Sequence, residues 1–220
     1  MNKSVIDLSS ELITARDLRR AVGVLGIALP VLVFLGALII FQDGVLGSIS
    51  GSYHTGMRDV FVGVLWATGV FLFCYKGYEP IDDRIATWAG VFAVCVSLFP
   101  TTPDGPVSDF VKFIGTLHLL FAGAFFILLS FMSYKLFTKS DRKVIKAQKR
   151  KRNLVYENCA YIMLACVVLM AIVSFLPEGP SLVVKPFRPI LVLETIALWA
   201  FGFSWLIKGE TWWKDVAKKE

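Results

Sequence analysis

Polar and ionisable residues interrupt two otherwise apolar regions of this chain. The stretch SISGSYHTGMRD, residues 48–59, contains Ser50, His54, Arg58 and Asp59 between two long apolar runs. The only other histidine, His118, lies inside the run FIGTLHLLFAGAFF. Histidines and carboxylates can bind and transfer protons near neutral pH, and together they can also hold zinc. These residues therefore predict a site for proton or metal chemistry.

A further carboxylate, Glu194, lies in the apolar run PILVLETIALWAFGFSWLIKG. Ionisable groups at membrane depth are costly, and they are usually buried against partners or against a water-filled cavity. Three interpretations stay open at this stage. The first is a structural network in which Arg58 pairs with Asp59 or Glu194. The second is a binding pocket, and its predicted residues are Ser50, His54, Arg58, Asp59, His118 and Glu194. The third is a catalytic zinc site, with His54, His118 and Asp59 as ligands and Asp59 or Glu194 as general base.

The composition determines which elements must position these residues. The chain of 220 residues is 56% hydrophobic and 18% charged, and its mean hydropathy is +0.66. Soluble domains average about 25% charged residues. The apolar residues cluster in runs near the length that an α-helix needs to cross a bilayer. We predict an all-α, polytopic membrane bundle in one domain, with six transmembrane helices at residues 21–41, 59–75, 84–100, 111–137, 154–176 and 189–207.

The distribution of Lys and Arg predicts the orientation of these spans. With six spans, 19 of the 23 basic residues fall in the N-terminus, the connections after spans two and four, and the C-terminus. The remaining four are Arg58, Lys112, Lys185 and Arg188. Cytoplasmic segments carry the excess of Lys and Arg. Both termini are therefore predicted to be cytoplasmic.

Two polar segments and the cysteines have simpler interpretations. Residues 1–20 predict a short amphipathic cytoplasmic helix at the membrane interface. The basic loop at residues 138–153 predicts a cytoplasmic topology signal that contacts anionic lipid. This loop accounts for the net charge of +6, so no nucleic-acid partner is predicted. The four cysteines fall inside the predicted spans, and we interpret them as packing residues.

The predicted topology brings the ionisable residues to one leaflet. His54, Asp59, His118 and Glu194 would all lie near the outer ends of their segments. Asp59 would face the bundle, because Gly63 and Ala67 follow it at helical spacing and small residues favour helix contacts in lipid. The sequence therefore predicts a polar pocket in the outer leaflet.

Several segments together resemble an uncharacterised bacterial family of six-span membrane proteins, the domain of unknown function numbered 998. They are SGSYHTGMRDVFVGVLWATGVFLFCYKGYEPIDD, AGVFAVCVSLFP, LHLLFAGAFF and ETIALWAFGFSWLIKGE. This resemblance implies a fold and no activity. The spacing of Ser50 and His54 is also similar to the first motif of the CREST membrane hydrolases. Those proteins have seven spans and a later H-x-x-x-H zinc pair, whereas here Ala122 follows His118 by four positions.

Two functions follow as predictions. The first is a multi-pass protein of the bacterial plasma membrane that binds or passes a small molecule, a lipid or a proton at the outer pocket. Its expected partners are membrane lipids, with an oligomer or a protein partner possible. The alternative is a zinc-dependent hydrolase of lipid amides or esters.

Overall fold

The computed structural model of the chain describes residues 3–139, 147–177, 180 and 183–213, with side chains from residue 15 onward. It contains six long α-helices and no strand among these residues, which confirms the all-helical prediction. The helices are α1 (Lys3–Leu35), α2 (Arg58–Phe73), α3 (Pro80–Leu98), α4 (Asp109–Phe131), α5 (Ala147–Ser174) and α6 (Pro189–Lys208). Single π-helical segments extend α1 over Gly36–Ile40 and α4 over Met132–Leu136. Each predicted apolar run is thus a helix.

Four helical segments of the described chain are long and apolar enough to cross a membrane. They are Ala15–Ile40, Asp109–Leu136, Ala147–Ser174 and Lys185–Lys208. Helices α2 and α3 are shorter, at 16 and 19 residues. Many large apolar side chains on the outside of the bundle are exposed, among them Ile40, Trp88, Phe113 and Leu120. An apolar exterior of this kind suits a lipid environment, so the structure supports a membrane-embedded helical protein.

The six helices form a closed ring in chain order. Each helix packs against its neighbours in sequence, and α6 packs against both α5 and α1. Aromatic side chains fill the interior, and Trp205 on α6 is the largest fully buried residue. Its ring lies 5.2 Å from that of Phe137 and 6.1 Å from that of Phe201, between ring centroids. These aromatic contacts join α6 to the segment after α4.

Glycines allow the ring to close between α1 and α6. A methyl group added at Gly202 would lie 2.7 Å from the carbonyl oxygen of Gly23 and 2.7 Å from the side chain of Ile27. At Gly23, the added methyl would lie 2.8 Å from the Gly202 carbonyl oxygen. Because neither position can hold a side chain, the two backbones approach closely, as small residues permit in membrane helix pairs.

Polar contacts gather four segments at one end of the bundle. Arg16 on α1 forms an ion pair with Glu210 after α6, at 3.1 Å. Arg19 lies over the ring of Tyr75, which follows α2. Lys139, which follows α4, pairs with Asp82 at 2.7 Å. We call this the basic end, since most of the described Lys and Arg residues lie there, including the four at 149–152 at the start of α5.

The pair of Asp82 and Lys139 joins the first turn of α3 to the segment after α4. Asp82 is only 1% exposed, and it also accepts hydrogen bonds from the amides of Tyr78 and Glu79 at 3.0 and 3.3 Å. Burial acts to raise the pKa of Asp82, but the hydrogen bonds from Lys139 and the two amides outweigh it and hold the pKa below its usual range. The same contact, together with Glu79, raises the pKa of Lys139.

Two predicted polar segments differ from the structure or lie outside it. Residues 3–35 are one continuous helix, so the predicted N-terminal helix runs directly into the first apolar segment; its side chains before residue 15 lie outside the described part. In the predicted basic loop, residues 140–146 also lie outside the described residues, while 147–153 already belong to α5. Ala, Gln, Lys and Arg are strong helix formers, and this explains the earlier start of α5.

Candidate functional site

The α1–α2 connection, residues 41–57, folds back over the end of the bundle opposite the basic end. A short 3₁₀ helix, Ser50–His54, forms its second half. The buried Ser52 hydroxyl donates to the carbonyl oxygen of Ile49 at 2.6 Å. Met57 is also buried, and it packs against Gly36. The connection is therefore an ordered cover whose polar atoms have local partners.

Two residues of the α6 segment hold this cover in place. The Glu194 carboxylate accepts a hydrogen bond from the Ser50 hydroxyl at 2.7 Å on one oxygen and from the Ile49 amide on the other. The Arg188 guanidinium donates to the carbonyl oxygens of Val45 and Leu46. An ionised carboxylate in an apolar setting needs such donors. The structure thus brings together Ser50 and Glu194, two of the predicted pocket residues, and adds Arg188 and the Ile49 amide, which the sequence analysis did not include.

His118 lies deep in the bundle on α4 and is 2% exposed. Its Nδ1–H donates to the carbonyl oxygen of Phe99 at 2.7 Å. A carbonyl can only accept, so this contact places the proton of a neutral ring on Nδ1 and leaves Nε2 as an acceptor. The position of Gly115 one turn earlier lies against Thr102, as expected for a packing face. His118 is therefore held in one tautomer by the end of α3.

His54 binds the same segment from outside the bundle. Its Nε2–H donates to the carbonyl oxygen of Thr101 at 2.7 Å, two residues beyond the carbonyl that holds His118. The two histidines are close enough to interact electrostatically. His54 itself is exposed. Both histidines thus fasten the α3–α4 connection, but only His118 reaches the interior.

A small cavity of about 40 Å³ lies inside the ring at this end. Ser50, His118 and Glu194 are its polar lining residues, and apolar side chains form the rest of the wall, namely Leu29, Ile49, Phe61, Leu65, Val96, Ala122, Phe125, Phe126 and Leu198. A cavity needs about 10–15 Å³ on this measure to hold one water molecule. The cavity therefore has room for a few water molecules between a carboxyl group and an imidazole.

The prediction that Asp59 faces the bundle is wrong. Asp59 is exposed, and a methyl group added at Gly63 would meet nothing within 4 Å. The buried face of α2 is instead formed by larger side chains, among them Phe61 and Leu65. Its close helix contact occurs at Gly69, so Gly63, the small residue one turn after Asp59, lies on an open face.

Arg58 also points away from the predicted pocket. Its guanidinium donates to the Tyr53 hydroxyl at 2.7 Å and lies 4.4 Å from the centroid of the same ring. Among the described side chains, neither Asp59 nor Glu194 pairs with it. The pocket of this structure thus contains Ser50, His118 and Glu194, while His54, Arg58 and Asp59 surround it on the exterior.

The predicted zinc ligands have part of the geometry of a metal site. Metal-binding histidines usually donate their second ring nitrogen to a carbonyl or a carboxylate, as His54 and His118 both do. Within the described part of the chain, however, no three His, Cys, Asp or Glu residues are placed to hold one metal ion. The residues described do not form a zinc site, and zinc stays a prediction for metal analysis.

Comparisons with protein-family models, curated proteins and solved structures gave no match to this chain. The resemblances to the six-span bacterial family and to the CREST hydrolases therefore stay predictions.

Proposed function

We propose that this chain is a six-span protein of the bacterial plasma membrane, with both termini in the cytoplasm, that binds protons in the cavity between Glu194 and His118. The single observation that carries the proposal is that these two ionisable side chains share one small, otherwise apolar cavity inside the helix ring. Ionisable groups in such positions often mark proton relays or ligand pathways.

Contacts at the two ends of the bundle support the proposed topology. Arg16, at the start of the first apolar segment, meets Glu210, which follows α6, at the basic end. An even number of crossings would account for this meeting. Six crossings would place the cavity at the outer side, because cytoplasmic segments carry the excess of Lys and Arg. In this arrangement α2 and α3 cross the membrane with little tilt.

The size of the cavity favours a proton over a larger ligand. A volume of about 40 Å³ accommodates a water molecule but not a lipid chain or a drug-sized molecule. Glu194 supplies a group that gains and loses a proton, and the Nε2 atom of His118 can accept one. A water between them would complete a short proton path within the cavity.

Proton binding at Glu194 would also act on the cover. Both oxygens of the carboxylate accept a hydrogen bond in this structure, one from Ser50 and one from Ile49. In a protonated carboxyl group, one of the two oxygens carries a hydrogen atom and acts as a donor through it. Protonation therefore competes with one of the two contacts and weakens the hold of α6 on residues 49–50.

The direct test is infrared difference spectroscopy of the purified protein in detergent during a pH titration. A carboxyl group that protonates in an apolar site adds a carbonyl stretching band. We expect this band in the wild-type protein and in Asp59→Asn, which removes an exposed carboxyl at the same end, and we expect its loss in Glu194→Gln. A titrating band that persists unchanged in Glu194→Gln would reject proton binding at this residue.

Passage of protons needs a separate measurement in proteoliposomes that contain a pH-sensitive dye. If the cavity lies on a proton path, an imposed pH difference should collapse faster with wild-type protein than with Glu194→Gln or His118→Gln. Equal rates in all three would limit the function to proton binding.

The alternative function, a zinc-dependent hydrolase, makes a different prediction. It requires about one zinc ion per purified chain, and this zinc should be lost in His54→Ala. Elemental analysis of the two proteins tests it.

A further inference from the structure

A buried cation lies at the opposite end of α6 from Glu194. Lys208 is 9% exposed. Its ammonium nitrogen lies 5.1 Å from the ring centroid of Tyr78 and 5.2 Å from that of Phe137. Within the described residues, Lys208 has neither an ion pair nor a hydrogen bond through its side chain. Its charge is therefore contacted by the faces of two aromatic rings and by no acceptor atom.

A second donor without an acceptor belongs to the same aromatic cluster. Trp205, one turn before Lys208, is fully buried, and its indole Nε1–H has no hydrogen-bond partner in the described structure. The indole packs against Phe137, the ring that also contacts Lys208. Buried N–H groups are nearly always paired. Both unpaired groups are donors, so each would be satisfied by an acceptor.

The electrostatic surroundings of Lys208 favour an anion. Arg19, Lys149 and Arg152 are near enough to act on its charge. The carboxylate of Asp82 acts on it more weakly, and that carboxylate is already paired with Lys139 at 2.7 Å. Among the described groups that act on the charge of Lys208, the cations thus act more strongly than the carboxylate of Asp82. A buried ammonium is costly unless a counter-charge compensates it.

We propose that Lys208 and Trp205 form part of a binding site for a phosphate-bearing anion at the basic end. The position of the site favours the headgroup of an anionic phospholipid as the source of the phosphate. Lys208 is the last residue of an apolar helix, and the exposed rings of Phe203 and Trp212 stack beside that helix end at 5.6 Å. Aromatic side chains are enriched at the level of lipid headgroups.

This site differs from the Glu194 cavity in position and in chemistry. The leaflet that would supply the lipid depends on the topology proposed above, and it would be the cytoplasmic one. Binding itself does not depend on topology, because it can be measured on detergent-solubilised protein. A failure of proton binding at Glu194 and a failure of anion binding at Lys208 are therefore separate results.

The test compares Lys208→Met with Lys76→Met. Lys76 lies at the same end, but its side chain is 77% exposed and pairs with Asp83 at the surface. Each variant removes one positive charge from the basic end, and only the first alters the buried cluster. Binding is measured by native mass spectrometry and by the shift in melting temperature, with phosphatidylglycerol, with phosphatidylcholine and with free glycerol phosphate.

We expect phosphatidylglycerol to bind and stabilise the wild-type protein and Lys76→Met, and to bind Lys208→Met about tenfold more weakly, since hydrogen bonds to charged groups are the strong ones. Phosphatidylcholine should bind all three proteins alike. If glycerol phosphate shows the same dependence on Lys208, the site takes the phosphate group without the lipid chains. Equal binding of every anion to wild type and Lys208→Met would overturn the proposal.

A structural role for Lys208 makes a different prediction. If its contacts with Tyr78 and Phe137 only stabilise the fold, Lys208→Met should lower the melting temperature without lipid and leave the lipid-induced shift unchanged. Our proposal expects no loss of stability without lipid, because methionine removes an uncompensated buried charge. Trp205→Phe provides a second variant that keeps an aromatic ring and removes the N–H. It should also weaken phosphatidylglycerol binding, and unchanged binding would contradict the role of Trp205.

Discussion

The Ser50 hydroxyl donates to the Glu194 carboxylate at 2.7 Å across 144 positions of sequence. This contact joins the cover over one end of the ring to α6, the helix that closes the ring. It also places a carboxylate at the wall of the cavity that contains His118. The stability of the cover and the protonation of Glu194 are therefore linked, and this link can be tested without a known substrate.

Glu194→Gln should loosen the cover. Glutamine keeps one acceptor oxygen but replaces the other with an NH₂ donor, as protonation of the carboxyl partly does. One of the two contacts to Ile49 and Ser50 is then lost. We expect faster hydrogen exchange of backbone amides in residues 45–55 than in the wild-type protein, measured by mass spectrometry. Asp109→Asn, a substitution at an exposed position elsewhere, is the control. Equal hydrogen exchange in all three proteins would contradict the role of Glu194 in holding the cover.

Ser50→Ala should lower stability modestly. It removes one donor to Glu194 and leaves the other, so the expected loss is about 1 kcal/mol. Thr116→Ala removes an exposed hydroxyl that bonds within its own helix, and its effect should be smaller. Melting temperatures in detergent check this order. A larger loss from Thr116→Ala would show that the Ser50 contact contributes little.

Close packing of α1 and α6 predicts opposite effects for two similar substitutions. Gly202→Ala forces a methyl group against the Gly23 carbonyl, and overpacking of this kind typically costs about 1–3 kcal/mol. Gly123→Ala on α4 meets nothing within 4 Å, so the better helix propensity of alanine should make it neutral or slightly stabilising. Thermal unfolding of both variants measures the difference. Similar losses for both would indicate that α1 and α6 are not so closely packed.

The ion pair of the buried Asp82 with the partly exposed Lys139 predicts a dependence of stability on pH. The pKa of Asp82 is lowered in the folded protein, so its contribution is complete above the ordinary value of 3.8 and is lost as the pH falls below it. The pKa of Lys139 is raised, so its contribution is present below 10.5 and is lost as the pH rises through the folded value. Melting temperature should therefore fall on the acid side of about pH 4.

Asp82→Asn should remove the acid part of this dependence. It should also lower stability at neutral pH by about 2 kcal/mol, since it replaces a buried acceptor of charge-assisted hydrogen bonds. Asp109→Asn is the control, because Asp109 forms an exposed pair with Lys112 that should contribute little. An acid profile of Asp82→Asn identical to that of the wild type would exclude Asp82 as its source.

The proposed topology can be tested by labelling of single cysteines with a membrane-impermeant thiol reagent in intact cells. Asp104→Cys and Ala147→Cys, each in a background without the four native cysteines, introduce exposed sites at opposite ends of the ring. The positive-inside distribution predicts labelling at 104 and protection at 147. Labelling only at 147 would invert the topology and place the Glu194 cavity on the cytoplasmic side.

The sequence by itself determined the helical elements and the choice of some site residues. Continuous apolar runs indicated helices at all six segments, because the length and composition of a membrane helix are local properties. The rarity of ionisable residues in those runs singled out His118 and Glu194 before any contact was known. Both line the same cavity, since polar groups in an apolar interior must share a polar environment or find partners.

Only the tertiary structure decided which of the other predicted site residues lie beside His118 and Glu194 at the cavity. Asp59, like His118, has a small residue four positions later. It nevertheless lies on an open face, because the rotation of α2 depends on how Phe61 and Leu65 pack against the neighbouring helices. The pairs of Asp82 with Lys139 and of Ser50 with Glu194 span long distances in sequence, and no local pattern encodes them. For the same reason, no local pattern in the sequence indicates that the donors of Lys208 and Trp205 lack an acceptor. Whether a side chain finds a partner depends on the packing of distant helices, and that packing appears only when the ring closes.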